Sequence, residues 1–313
     1  MAVSGISKFQ DKVMFYGLNV LEKVQRDEYK LQYSPTFIVA PPRAGTTLTR
    51  QVVSWTIPTS YFSNLTAISS FHLGKPLPIT TAKLAKQMGG EQNLGSFESS
   101  FGRTAGRGAP AEGETIWAYW FRNRYGPVEP EEVTPQQARG MYRAVAATEQ
   151  IFGLPFFNKT TVLSLRIRAI RKVFPDALFI QVMRDPLDTA QSIYKARTTR
   201  YPHWLGARPR ECENVDGKSV LEQVCEQVYY VEKNIARERT AVGEQAFLTV
   251  HYKDVCANPQ REAERIAAFM DANGAPAKLT RSLPESFELS HGRKVEEAEY
   301  HEMRRLLDRL YRH

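Results

Sequence analysis

The chain has 313 residues, 42% hydrophobic and 24% charged, a composition that excludes collagenous, low-complexity and wholly disordered classes. That length suits one large α/β domain or two small ones, at roughly 100–200 residues per domain. Forty-two Lys and Arg against 34 Asp and Glu leave a formal charge of +8, which favours anionic partners (nucleotide, acidic glycan, anionic lipid or nucleic acid) without choosing among them.

From Ile6 to Leu31, apolar residues recur at helical spacing at Phe9, Val13, Tyr16, Val20 and Val24. This predicts an N-terminal helix over residues 1–31, docked on the domain. A membrane-surface helix is the alternative, opposed by a polar face of mixed rather than basic charge. Lys8, Asp11 and Lys12 interrupt this region, so it has no secretory h-region. No stretch approaches the roughly 18 apolar residues of a membrane span, and a cytoplasmic protein is expected.

Thr36–Ala40 reads as a buried strand that runs into Pro41-Pro42-Arg43-Ala44-Gly45-Thr46-Thr47, and helical spacing resumes at Leu48, Val52 and Trp55. Ser60–Pro110 is rich in Gly, Ser, Pro and Asn, which predicts a long irregular segment. Residues 60–133 are therefore expected to form a substrate-facing insertion in a single domain over 1–313. Helices are expected at 134–152 and 163–174, and short strands at 156–159 and 177–183. The second of these strands leads through Arg184-Asp185-Pro186 into another helix. Helices at 219–239, 259–272 and 295–311 and a strand at 247–251 complete the pattern. Cys212, Cys225 and Cys256 are too few for a disulfide framework, have no C-x-x-C spacing, and fit a reducing compartment. Buried strands alternating with helices predict an α/β fold, a P-loop-like parallel sheet flanked by helices.

A strand–turn–helix junction such as 40–47 aims backbone N–H groups and a helix N-terminus at one point, which makes an anion site. Compared with the G-x-x-x-x-G-K-[ST] pattern, Gly45 and Thr47 are kept, but Ala40 replaces the first glycine and Thr46 the lysine. The cradle survives without the group that reaches β/γ-phosphates. Arg184 at the end of a second strand, with Ser192 eight positions later, suits a second phosphate. Two phosphate sites at the carboxyl ends of parallel strands match a nucleoside bisphosphate.

Together these segments resemble the sulfotransferases that use 3′-phosphoadenosine 5′-phosphosulfate (PAPS). Pro42-Arg43-Ala44-Gly45-Thr46-Thr47-Leu48 is similar to the family's 5′-phosphosulfate loop. Phe174-Pro175-Asp176-Ala177 through Arg184 to Ser192 is similar to its 3′-phosphate segment, and His251-Tyr252-Lys253-Asp254-Val255 with Asn258-Pro259 to a third block. The resemblance implies sulfuryl transfer to a hydroxyl of a glycan, lipid or small molecule, releasing adenosine 3′,5′-bisphosphate, with no metal required. Asn158-Lys159 is similar to a segment of tyrosylprotein sulfotransferases in which the lysine approaches the bridging oxygen. Ser290 sits where the tyrosylprotein group has a late serine, and Arg293 and Lys294 are similar to the basic C-terminal segment that closes over the 3′-phosphate in cytosolic sulfotransferases. Tyr252 is expected to contact the nucleotide.

The acceptor hydroxyl needs a general base. Where tyrosylprotein sulfotransferases carry a glutamate, this chain has Tyr61-Phe62-Ser63-Asn64-Leu65, without a carboxylate. Ala109-Pro110-Ala111-Glu112-Gly113-Glu114 is similar to an S-P-x-E-x-E element of some bacterial-type sulfotransferases. The candidates are His72, Glu98, Glu112 and Glu114. His72 ranks first because an imidazole is suited to proton transfer near neutrality, and Glu114 second; His203 and His251 read as structural. The aromatic cluster Trp117, Tyr119, Trp120, Phe121 and Tyr125 suits a helix core or an acceptor cleft. Arg103, Arg107, Arg122 and Arg124 would favour an acidic acceptor if they face that cleft. The rivals are an ATP-dependent small-molecule kinase, opposed by Thr46, and a basic nucleic-acid-binding module, whose expected Lys/Arg stripe is not concentrated anywhere.

Overall fold

The computed structural model describes residues 5–88, 97, 106–200 and 203–312, and over residues 5–12 the backbone alone. Its centre is a parallel four-stranded sheet in the order β2-β1-β3-β4. The strands are β1 (Thr36–Val39), β2 (Phe157–Lys159), β3 (Leu178–Met183) and β4 (Phe247–His251). β1 pairs with β2 through Thr36↔Phe157 and with β3 through Thr36↔Leu178, and β3 pairs with β4 through Phe179↔Phe247.

Alternation along β1 divides the core between the two faces of the sheet. Phe37 and Val39 join Phe179 on one face, beneath α5 (Glu114–Phe121), α6 (Pro135–Phe152), α7 (Ile167–Val173) and α9 (Val220–Val242). Ile38 and Ala40 join Ile180, Val182 and Val250 on the other, beneath α2 (Thr46–Thr56), α10 (Tyr252–Ala257) and α11 (Pro259–Ala272). A third cluster packs α8 (Pro186–Thr199) and α9 against the last helix, α12 (Glu297–Tyr311).

The segment expected to be irregular holds two helices, α3 (Asn64–Leu73) and α4 (Pro78–Gln87). Its polar and small residues include helix punctuation: Ser63 caps α3, Gly74 ends it in a left-handed turn, and Pro78 sits in the first turn of α4. α1 (Gly5–Val24) stops seven residues short of the predicted Leu31, and it docks by a different face. Phe15 is fully buried with Leu65 of α3 and Leu77, just before α4. Val13, Tyr16, Val20 and Val24 of the predicted docking stripe are instead exposed. The helix predicted over 163–174 is divided into a 3-10 turn (Thr161–Leu165) and α7, α5 matches the helix-core reading of the aromatic cluster, and α10 was not foreseen.

Between α2 and α5 the chain returns to the sheet edge. Ser60 forms a parallel bridge to Phe156, and Ser63 an antiparallel bridge to Pro110. Ala111 N donates to Phe62 O (2.8 Å) and Phe157 N to Ser60 O (2.8 Å). The 109–112 stretch is thus laid beside 60–63, which itself lies beside the start of β2. Trp117 Nε1 donates to Asn158 Oδ1 (3.0 Å), tying α5 to the same strand.

Candidate active site

The carboxyl ends of β1, β2 and β3 share one edge of the sheet. From β1 the sheet order runs to β2 on one side and to β3 on the other, the kind of switch point where open α/β sheets form their crevice. The 40–45 turn is clamped from below by Ser164, whose hydroxyl accepts from Ala40 N (2.9 Å) and donates to Ala40 O (3.0 Å). The two turn positions that flank Ala44 are in the left-handed region, Arg43 at φ 67° and Gly45 at φ 96°. For arginine that conformation costs about 1–2 kcal/mol. Its surroundings hold it there: Arg184 Nη1 donates to Arg43 O (3.0 Å), and Arg43 Nε donates to Ser192 Oγ (3.1 Å). At position 45 only glycine fits, because a Cβ there would lie 2.2 Å from Cδ2 of Tyr252.

No side chain caps the start of α2, and its first turn carries no acid. The N-terminal amides and the positive end of the helix dipole therefore point into the crevice uncompensated by a side chain. Thr47 brings a hydroxyl to the same place. Ala44 is buried in the core, and Leu48 packs against it.

Lys159, the last residue of β2, is 4% exposed. Its Nζ donates to Thr47 Oγ1 (3.4 Å) and forms an ion pair with Glu112. Burial pushes its pKa below the usual lysine value; Glu112 opposes the shift, and the charges of Arg50 and Arg43 reinforce it. Arg50, one turn along α2, is also buried and has its pKa lowered by burial. Its Nη1 reaches Pro110 O (3.4 Å), two residues before Glu112.

On the other side of Arg43, Arg184 lies over the Tyr252 ring, 4.7 Å from its centroid, and donates to Ser290 O. Its buried Nε has no hydrogen-bond partner among the described residues. Lys294 Nζ donates to Ser290 Oγ, and Lys294 N donates to Gln191 Oε1 (2.7 Å). Burial, then the Arg184 charge, lowers the Lys294 pKa. His291 Nδ1 lies 2.6 Å from Asp188 Oδ2 in the first turn of α8. The 290–294 strap therefore lies across the Arg184 end of the crevice.

Of the residues singled out in the sequence, the fold brings together Arg43, Gly45, Thr47, Lys159, Arg184, Ser192, Tyr252, Ser290 and Lys294. Others lie elsewhere. Arg293 pairs with Glu297 of α12 (3.1 Å). His72, ranked first as base, stacks on Phe15 of α1 (ring centroids 5.8 Å apart). Glu114, ranked second, opens α5 and binds Arg124 Nε (2.7 Å). The carboxylate placed at Lys159 is Glu112. Glu98 and Arg103 lie outside the described residues. The aromatic cluster is mainly core: Trp117, Trp120 and Phe121 are buried with Phe37 and Phe62. Arg122 lies over Tyr119 and Arg124 over Tyr125. Sequence reasoning missed Ser164, Arg50 and Gln191; no motif marks them, because each acts through a contact distant in the chain.

A model of the sulfotransferase family matches residues 35–275, from just before β1 to just beyond α11. The chain belongs to the sulfotransferase family. It is accordingly a transferase of the kind that moves a sulfuryl group from PAPS. Among solved structures the enzyme is similar to sulfotransferase STF9 from Mycobacterium avium, with 15% identity over 95% of this chain and 72% of that one, and a TM-score of 0.53. It is also similar to sulfotransferase STF1 from Mycobacterium tuberculosis H37Rv (13% identity, 83% and 72% covered, TM-score 0.47). A sulfotransferase from Alicyclobacillus acidocaldarius gives 13% identity, 90% and 93% covered, and a TM-score of 0.44. A search of proteins of curated function gives no significant match. Family membership leaves the kinase and the nucleic-acid module unsupported, and no helix among the described residues is long and apolar enough to cross a membrane.

Proposed function

We propose that this crevice transfers a sulfuryl group from PAPS to the hydroxyl of a glycan, lipid or small molecule, with Glu112 as general base. The carrying observation is the Lys159–Glu112 ion pair beside Thr47 of the anion loop: a buried acid and a carboxylate placed together where the loop ends. The start of α2 and the Nε of Arg184, uncapped and without a hydrogen-bond partner among the described residues, fit the two phosphates of the donor.

In this reading the loop amides with Arg43, Thr46 and Thr47 hold the 5′-phosphate. Arg184 and Ser192 hold the 3′-phosphate, with Tyr252 beside the nucleotide and Ser290 and Lys294 over it. The donor supplies a sulfuryl group on a phosphate that departs as adenosine 3′,5′-bisphosphate. Glu112 takes the proton as the acceptor oxygen bonds to sulfur, and Lys159 donates to the oxygen whose bond to sulfur breaks. Charge grows on that oxygen, where a pre-positioned buried donor is most effective. Arg43, Lys159 and the helix start supply the positive charge, so the mechanism calls for no metal. Residues 60–133 supply Glu112 and act as the acceptor-facing insertion of a single domain.

The test is calorimetric titration of the metal-free protein with adenosine 3′,5′-bisphosphate, with ATP and AMP as controls, followed by transfer assays with labelled PAPS over a panel of phenolic, sugar and lipid alcohols. Preferential binding of the bisphosphate is expected. Glu112→Gln should retain that binding and lose roughly 10²–10⁴-fold in turnover. Preference for ATP, or undiminished turnover in Glu112→Gln, refutes the assignment.

A further inference from the structure

α1 is apolar on two opposite sides. Its inner side buries Phe15, with Met14 and Leu18 packed alongside. Its outer side presents Val13, Tyr16, Val20, Leu21 and Val24, each between 53% and 62% exposed. Gly17 lies among them, and among the described residues nothing would meet a side chain there within 4 Å. The same spacing runs back in the sequence through Phe9 and Ile6. One apolar stripe is what packing on the core requires of a surface helix, so the second stripe calls for a second cover.

The charges around the stripe are sorted. Glu22 is turned inward, where its carboxylate accepts from Ile79 N (3.1 Å), Thr80 N and Thr80 Oγ1 (both 2.8 Å) at the start of α4. Glu22, one of the two acids of α1, is thereby taken off the exposed face as it caps a neighbouring helix; the side chain of the other, Asp11, lies outside the described residues. Lys23 stays exposed beside the stripe, with Arg26 and Lys30 just beyond α1. Asp27 and Glu28 follow in the same exposed stretch, and Asp27 accepts from Tyr29 Oη (3.1 Å). On α4, exposed Lys83 donates to Gln25 Oε1 (2.8 Å), placing another cation at the end of α1. Among the described residues at this end of α1, Lys23, Arg26, Lys30 and Lys83 are exposed against Asp27 and Glu28.

We infer that the outer face of α1 is a docking surface for an anionic lipid bilayer, lying in the plane of the interface with Tyr16 and the valines among the acyl chains and the flanking cations at the headgroups. A second copy of the chain is the poorer occupant. The 20-residue helix is about 30 Å long and roughly 10 Å wide. Two such faces would bury about 600 Å² together, half of what a stable interface requires, and they would bring like charges together. A bilayer needs no complementary protein surface, and it rewards the excess of cations.

The test is co-sedimentation with phosphatidylcholine vesicles containing 30% phosphatidylglycerol, and with phosphatidylcholine alone, at low and high salt. The full chain should pellet with the anionic vesicles, at least five-fold less with the neutral ones, and less at high salt. The double variant Val20→Asp/Val24→Asp should stay in the supernatant. Its folding is verified by an unchanged thermal transition, since both residues face solvent, and Lys23→Glu should weaken binding to anionic vesicles only. Equal pelleting by the double variant refutes the proposal, as does no pelleting of the parent chain. A dimer in light scattering that the double variant makes monomeric also refutes it, and assigns the face to a second copy.

Discussion

The Lys159–Glu112 pair makes a prediction whose two arms have opposite signs. Glu112→Gln removes the carboxylate from a lysine that is 4% exposed. Breaking a buried ion pair from one side costs roughly 3–5 kcal/mol. Glu112 is one-third exposed, and Thr47 Oγ1 stays in reach, so about 2–3 kcal/mol of destabilisation is expected at pH 7. Burial already lowers the Lys159 pKa, and Glu112 opposes that shift; in the variant it falls further. Between that lowered value and the usual 10.5 the unfolded chain binds more protons than the folded one, so stability rises with pH. The variant's deficit should therefore be largest near pH 7 and shrink toward pH 10. The other arm concerns binding. A carboxylate beside an anion loop repels a phosphate, by about 2 kcal/mol at an effective dielectric of ~20 before screening. Its removal should tighten adenosine 3′,5′-bisphosphate binding by roughly three- to tenfold. Guanidinium denaturation at pH 7 and 9.5, with calorimetric titration at pH 7, reads both arms. A deficit below about 0.5 kcal/mol, or one that does not change with pH, would refute the claim that Glu112 holds this lysine charged.

Three further perturbations probe the rest of the fold. Arg184→Ala removes the guanidinium that braces Arg43 O, Ser290 O and Tyr252; bisphosphate affinity should fall by about 1.5–3 kcal/mol, and unchanged affinity in calorimetry would remove Arg184 from the 3′-phosphate site. Gly45→Ala places a Cβ 2.2 Å from Tyr252 at a φ of 96°; it should cost roughly 2–4 kcal/mol in denaturant titration, and adding Tyr252→Ala should relieve the steric part. Glu149, in α6, accepts from Gln32 N (2.6 Å), and burial raises its pKa to about 7. Since the folded chain then binds more protons than the unfolded one between pH 4.5 and 7, stability contributed at acid pH is lost as pH rises through that window. Glu149→Gln should flatten this loss and gain about 2–3 kcal/mol relative to the parent at pH 8; equal pH profiles would refute the burial argument.

What the sequence made legible was whatever has a local cause. A β-rich apolar run ending in Pro41-Pro42 and resuming at helical spacing specified β1, the anion turn and α2, because strand, break and helix are each written within a few residues. α3 and α4 were missed because their caps, Ser63, Gly74 and Pro78, are the residue types that also make loops. The outer face of α1 was misread for a related reason: periodicity reports that a stripe exists, but not which of two apolar sides packs inward. Phe15 decides that through Leu65 and Leu77, some 50 and 60 residues away in the chain.

The ranking of the base rested on a different kind of argument. His72 was preferred because an imidazole needs no tuning to accept a proton near neutrality, an argument from the isolated group. The fold decides by placement. Two bridges carry 109–112 along the sheet edge to β2, whose last residue is Lys159, and neither bridge has a sequence signature. The same geometry explains why a site this rich in cations is stable at all. Arg184 is bonded to the carbonyls of Arg43 and Ser290, and Lys159 to Glu112. Protein oxygens thus stand beside both cations, which lie at the two ends of the loop. Glu112 differs from the carbonyls in carrying a full charge and in being partly open to solvent. It is the one of these three oxygen groups that can be turned away from its cation without leaving a backbone acceptor unpaired, which is the property the proposed base requires.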